Sequence, residues 1–179
     1  IDAAGAEWPR LREGSHLSNR IRVGRGKPLP ILIFLKICVI IKENEKDDFM
    51  NQPKIYLIGD PHFWHRAIIR YCNRPFMTVE EMNETLIKNW NTVVGKHDIV
   101  YILGDFALCG KDRIIEITQK LNGRKRLILG NHDGASLETY RNAGFEYVYN
   151  HPIILEEFYR LSHYPQTYNQ SNGLYANVL

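Results

Sequence analysis

Four clusters of potential metal-ligating side chains each follow a short apolar run. Asp60-Pro61-His62 comes after Ile55–Ile58 and Gly59, and Gly104-Asp105 comes after Ile99–Val100-Tyr101-Ile102-Leu103. Gly130-Asn131-His132-Asp133 comes after Arg126–Leu129, and His163 ends the run Tyr159–Ser162. Carboxylate, imidazole and amide oxygen together suit hard to borderline divalent ions such as Mn, Fe, Zn, Co or Ni. A carboxylate can also bridge two ions. Taken singly these clusters mean little: Asp-x-His is common on surfaces, Gly-Asp is a turn, and a lone histidine is more often hydrogen-bonded than a ligand. Asn131-His132-Asp133-Gly134 alone reads as a turn. The order D-x-H, G-D, G-N-H-D and a final His, each at the end of a strand-like run, is what sets the set apart.

The elements that must position these residues alternate. Runs rich in Ile, Val, Leu and Tyr are interleaved with helical patterns, the signature of an α/β fold. In an open α/β sheet the loops at the carboxyl ends of the strands converge on one crevice. The glycines before Asp105 and Asn131 allow tight turns there. Thr78 followed by Glu81 is a capping-box signal for a helix over about 79–94, with Val79, Met82, Leu86, Trp90 and Val93 as its core stripe. Trp90 is thereby assigned to the core. Further helices are predicted over 112–121 and 136–143, the latter stopped by Gly144, and strands over 146–149, 153–156 and 159–162.

Composition bounds the rest. The chain has 179 residues, 44% hydrophobic and 24% charged, which is ordinary for one globular domain and marginal for two. A formal charge of +3 with scattered basic residues gives no stripe for nucleic acid. Cys38, Cys72 and Cys109 form no C-x-x-C pair; free thiols in the core of a cytoplasmic protein are expected. The apolar run 31–41 is too short to span a bilayer and lacks a cleavage site after it, so neither a membrane protein nor a secreted one is expected. Residues 1–49 show little periodicity and are expected to be a poorly structured extension. Met50 is then the natural start of a domain over 50–179, with a genuine N-terminal extension as the alternative.

From Ile55 to Val178 the sequence resembles the calcineurin-like metallophosphoesterases. It is most similar to small bacterial and phage members carrying D-x-H-F-x-H and N-R-P-F, here Asp60-Pro61-His62-Phe63-Trp64-His65 and Asn73-Arg74-Pro75-Phe76. The resemblance implies a β-sandwich flanked by helices, in α/β/β/α layers. It also implies two divalent metal ions, manganese first, with iron, zinc, cobalt or nickel as alternatives. Asp60 and His62 would hold one ion, Asn131 and His163 the other, and Asp105 would bridge them. His132 would stabilise the transition state or protonate the leaving oxygen, and Asp133 would orient the loop. His65 is either a support for a ligand or a surface histidine. Arg66, Arg70 and Arg74 are either contacts for a substrate phosphate or solvated surface residues. The implied activity is metal-dependent hydrolysis of a small phosphomonoester or phosphodiester.

Two departures qualify these expectations. The protein-phosphatase branch carries a second Asp three positions after the bridging one, where this chain has Leu108, which argues against a protein phosphatase. The family also closes its site with G-H-x-H after a further strand, whereas here the strand-like 173–178 is followed by Leu179. The expectation is a fold and site incomplete at the C-terminus, with weak metal binding and little turnover. The competing reading is a non-catalytic interaction module that keeps the fold.

Overall fold

The structure is a computed structural model, and it describes Ile21–Arg22, Cys38–Ile40, residues 53–157, residues 159–165 and Ala176–Val178. Its order is β1 (Ile21–Arg22), β2 (Cys38–Ile40), β3 (Ile55–Ile58), α1 (Arg66–Tyr71), α2 (Val79–Val93), β4 (Ile99–Leu103), α3 (Lys111–Lys120), β5 (Arg124–Ile128), α4 (Leu137–Asn142) and β6 (Tyr147–Tyr149), followed by β7 (Ile153–Leu155), β8 (Tyr159–Leu161) and β9 (Ala176–Val178). The first six strands form one sheet in the order β1-β2-β3-β4-β5-β6, and the last three form a second sheet in the order β7-β8-β9.

Strands β3 to β6 are parallel and lie side by side in chain order. Parallel crossovers are right-handed, so a sheet that grows in one direction places all its connecting helices on one face. Strand alternation makes that face visible in the sequence. Tyr56 and Ile58 of β3, Val100 and Ile102 of β4 and Leu127 of β5 pack with Val79, Met82, Leu86 and Trp90 of α2, Ile114 and Ile117 of α3 and Tyr140 of α4. Their neighbours Leu57, Tyr101, Leu103 and Ile128 point the other way, onto Leu155, Tyr159 and Leu161 of the small sheet. A parallel sheet is stable only with both faces covered, and the small sheet supplies the second cover. Helices, large sheet and small sheet are three layers of the expected α/β/β/α arrangement. An outer helical layer is not seen among the described residues.

Local signals place α2 as predicted. The Thr78 hydroxyl accepts the Glu81 N–H at 3.1 Å, and the Glu81 carboxylate accepts the N–H of Met77, one residue before the cap. Trp90 is in the core, its indole N–H donating to Asn122 O at 3.0 Å. Val93 departs from the predicted stripe: it is 42% exposed and Val94 takes its place, because i+4 from Trp90 falls on the core side and i+3 beyond it. The predicted helices over 112–121 and 136–143 appear as α3 and α4, with Ser136 capping α4 through the Thr139 N–H. Helix α1 was not predicted; six residues are too few for a periodic signal. Cys72 is exposed and Cys109 half-buried, so the expectation of core thiols fails for Cys72; the Cys38 side chain lies outside the described residues. Most of residues 1–49 does too, apart from β1 and β2, which extend the sheet antiparallel to β3. Among the described residues, no helix is long and apolar enough to cross a membrane.

Candidate metal centre

The loops after β3 and β4 turn through left-handed backbone at non-glycine residues: Asp60 (φ 51°), His62 (φ 53°), Trp64 (φ 59°) and Asp105 (φ 51°). Each such residue costs on the order of 1–3 kcal/mol and persists only where the surroundings over-determine it. Here the two loops are zipped together. The His62 N–H donates to Asp105 O, Phe63 N–H to Phe106 O and Leu108 N–H to Phe63 O, all at 2.9 Å, making one further parallel bridge between Phe63 and Ala107. Arg74, 8% exposed, reaches back from the N-R-P-F segment: Nη1 donates to Pro61 O and Nη2 to Asp60 O, each at 2.9 Å. Asn83 on α2 accepts the Trp64 N–H at 3.1 Å. Asp133 ties the third loop in, accepting the Phe106 N–H on Oδ1 and the Gly130 N–H on Oδ2, both at 2.9 Å, with the Tyr140 hydroxyl donating to Oδ1.

Within this frame the donor atoms converge. Asp60, His62 and Asp105 offer ligand atoms that all lie within 4.8 Å of one another. His62 Nε2 is 4.0 Å from Asp60 Oδ1 and 3.6 Å from Asp105 Oδ2. On the other side of the Asp105 carboxylate, His163 Nε2 is 3.6 Å from Oδ1 and 3.0 Å from Asn131 Oδ1. His132 Nε2 lies 3.9 Å from Asp105 Oδ2, while its backbone N–H donates to Oδ1 at 2.9 Å. Atoms bound to one ion at about 2.0–2.2 Å stand roughly 3–3.6 Å apart, so several of these spacings are already those of a coordination shell. Close approach is possible only because Gly104 and Gly130 lack a side chain. A Cβ on Gly104 would fall 2.4 Å from His163 Nδ1, and one on Gly130 would fall 2.3 Å from Asp105 Oδ1.

The protonation pattern fits a cation. His163 Nδ1 lies 2.9 Å from Leu103 O, while its Nε2 lies 3.0 Å from Asn131 Oδ1 and 3.6 Å from Asp105 Oδ1. A proton on Nδ1, donated to Leu103 O, would leave the Nε2 lone pair available to a cation shared with these oxygens. His62 behaves alike: its Nδ1 is 3.1 Å from His65 Nδ1, so a proton on His62 Nδ1 frees Nε2 towards Asp60 and Asp105. Burial pushes the His62 imidazole down to about 4 and lowers that of His65, keeping both neutral, which is the ligating form. Burial raises the Asp60 carboxyl, most of all by desolvation, with Asp105 adding to the rise and His163 and Arg74 opposing it. The residues present thus form a fitting donor set for a divalent metal.

All seven residues singled out in the sequence, Asp60, His62, Asp105, Asn131, His132, Asp133 and His163, come to this one crevice. Asp133 is buried among backbone donors, which places it beneath the donor set and not in it. Three further residues support the site. His65 is 7% exposed and meets the ring of His62, so the surface alternative for it does not hold. Arg74 is no phosphate contact; its guanidinium hydrogen-bonds loop carbonyls, whereas Arg66 and Arg70 are exposed. Asn83 gave no signal, since nothing local distinguishes a buried amide on an amphipathic helix.

A sheet with helices on one face, a second sheet on the other and a carboxylate–imidazole–amide cluster at its strand ends defines a metallophosphoesterase fold. The chain belongs to the calcineurin-like phosphoesterase family, whose model matches residues 53–177. Among individual proteins, it is 49% identical over 106 residues to the uncharacterized protein MJ1445 of Methanocaldococcus jannaschii, covering 57% of this chain and 60% of that one. It is 42% identical over 82 residues to the Gene 66 protein of Mycobacterium phage L5, covering 44% of this chain and 39% of that protein. Its matches therefore span about two fifths to three fifths of these relatives' length. The crystal structure of AQ665 from Aquifex aeolicus, a protein of unknown function, aligns with a TM-score of 0.51 at 30% identity, over 62% of this chain and 60% of that one.

Proposed function

We propose that the protein is a hydrolase of small phosphomonoesters or phosphodiesters whose crevice holds two divalent ions, manganese first among them. One observation carries the reading: the two oxygens of Asp105 face different histidines, Oδ2 towards His62 and Oδ1 towards His163, which in turn meets the Asn131 amide oxygen. A single carboxylate between two donor sets is how two ions are held close enough to act on one phosphoryl group, about 3.5–4 Å apart. Asp60 and His62 would complete the first position, Asn131 and His163 the second. Bound there, the ions would supply water activation and neutralisation of charge on the phosphoryl oxygens.

The protein's own groups account for the rest. His132 has 38% of its side chain exposed at the crevice, its backbone N–H donates to Asp105 Oδ1, and its Nε2 lies 3.9 Å from Asp105 Oδ2, which puts the imidazole beside the donor set. From there it would donate a hydrogen bond to a phosphoryl oxygen or a proton to the leaving oxygen. Asp133 holds the loop that presents it.

The test is release of p-nitrophenol from p-nitrophenyl phosphate and from its bis ester, with Mn²⁺ titrated against a chelator. Metal-dependent turnover that falls at least a hundredfold in Asp105→Asn is expected. Turnover indifferent to chelator, or to loss of Asp105, would overturn the reading, and the ratio of the two esters decides between mono- and diesterase.

A further inference from the structure

A cavity of about 360 Å³ opens beside His132, between the loops that follow β4 and β5. His132 lines it, but Asp60, His62, Asp105, Asn131 and His163 do not. It is therefore space that the proposed general acid borders and the metal donors leave alone. Its buried floor is Ala107, Ile114 and Tyr140; Leu108, 45% exposed, and Lys111 stand at its rim. Cys109 adds a thiol that burial raises to about 11, hence an uncharged wall. Among the described residues no carboxylate lines the cavity, and Lys111 is the one fixed cation that does.

A leaving oxygen that takes a proton from His132 must lie within hydrogen-bond reach of it, so the carbon skeleton on that oxygen extends into the space His132 borders. We infer that this cavity is the leaving-group subsite and that it takes an uncharged or anionic ring-sized organic group, of aryl or nucleoside kind. The inference rests on the phosphoesterase reading above and adds the class of ester. The volume is at the lower end of small-ligand sites, which run from about 300 Å³. The apolar floor favours a ring face over a hydrated chain. A cationic alcohol such as choline or ethanolamine would meet Lys111 with no carboxylate to offset it.

The probe is benzylphosphonate, in which CH₂ replaces the ester oxygen of phenyl phosphate, compared with methylphosphonate. Both are titrated calorimetrically into the Mn²⁺-loaded 179-residue chain. Benzylphosphonate is expected to bind at least tenfold more tightly. Ala135→Trp, which fills the cavity from its wall, and Leu108→Asp, at an exposed site tolerant of change, should each remove most of that preference and leave methylphosphonate affinity within about twofold. Equal affinity for the two phosphonates in the parent chain overturns the subsite alone. So does a benzyl preference that survives both substitutions. Binding of neither phosphonate also overturns the subsite; the phosphoesterase reading is kept in each of these cases by metal-dependent p-nitrophenyl phosphate turnover and falls with it only if that turnover is absent too.

Discussion

Gly59 and Gly130 stand in equivalent places, each between a parallel strand and a metal-ligand candidate, Asp60 or Asn131, and neither has a positive φ. A methyl group on each should nevertheless have opposite effects. A Cβ on Gly59 meets nothing within 4 Å, whereas one on Gly130 falls 2.3 Å from Asp105 Oδ1 and 2.6 Å from Asp105 N. Gly59→Ala loses only unfolded-state freedom and should stabilise the metal-free chain by about 0.4–1 kcal/mol. Gly130→Ala must push the Asp105 carboxylate or its backbone away by about 1 Å, and overpacking of this kind costs roughly 1–3 kcal/mol. The two variants should therefore differ by about 1.4–4 kcal/mol in urea unfolding. A displacement of about 1 Å is also enough to lower activity on the order of a hundredfold, and the Asp105 oxygens are shared by both donor groups. Mn²⁺ affinity, read by calorimetric titration, should drop by one to two orders of magnitude in Gly130→Ala and stay unchanged in Gly59→Ala. Stabilities within about 0.5 kcal/mol of each other, together with equal Mn²⁺ affinity, would refute the packing of the Gly130 backbone on Asp105.

Arg74→Ala removes two hydrogen bonds from a charged donor, worth about 1.5–3 kcal/mol each, and leaves the Asp60 and Pro61 carbonyls unpaired; a loss of roughly 3–5 kcal/mol by urea unfolding is expected, and a loss under about 1 kcal/mol would show that the clamp does little. His62 is held near 4 when folded against 6.5 when unfolded, so the unfolded chain binds the extra proton. Stability of the metal-free chain should then be fully present above pH 6.5 and fall by about 3 kcal/mol as pH drops to 4; His62→Asn should flatten that slope, and an unchanged slope would remove His62 as its source. Thr78→Ala deletes the cap on the Glu81 N–H and should lower stability by about 1 kcal/mol, measured as a shift in urea midpoint with unchanged slope.

Much of the fold was legible because its signals are local. Strand alternation in Ile55–Ile58 and Ile99–Leu103 reports two buried faces, and the Thr78/Glu81 pair reports a helix start. The three loop clusters were legible as a site because parallel strands bring their carboxyl ends to one edge whatever the intervening sequence. Val93 was misassigned because a helix's last turn can rotate by one residue without changing its apolar count. Arg74 and Asn83 were not assigned their roles, and His65 stayed between two readings, because these depend on partners 14, 19 and 3 residues away whose distances no pattern records.

The sequence by itself determined the strand–loop–helix order, the types of donor atom and the strand ends that carry them, since each follows from local periodicity and residue chemistry. Only the tertiary structure decided which oxygen of Asp105 faces which donors, which histidine nitrogens face the carboxylates, and why one glycine before a ligand candidate is indispensable while its counterpart is not. The reason is physical: ligand geometry is set to within about 0.5 Å by packing between loops. Gly59 and Gly130 share their setting along the chain and differ only in what lies across from them.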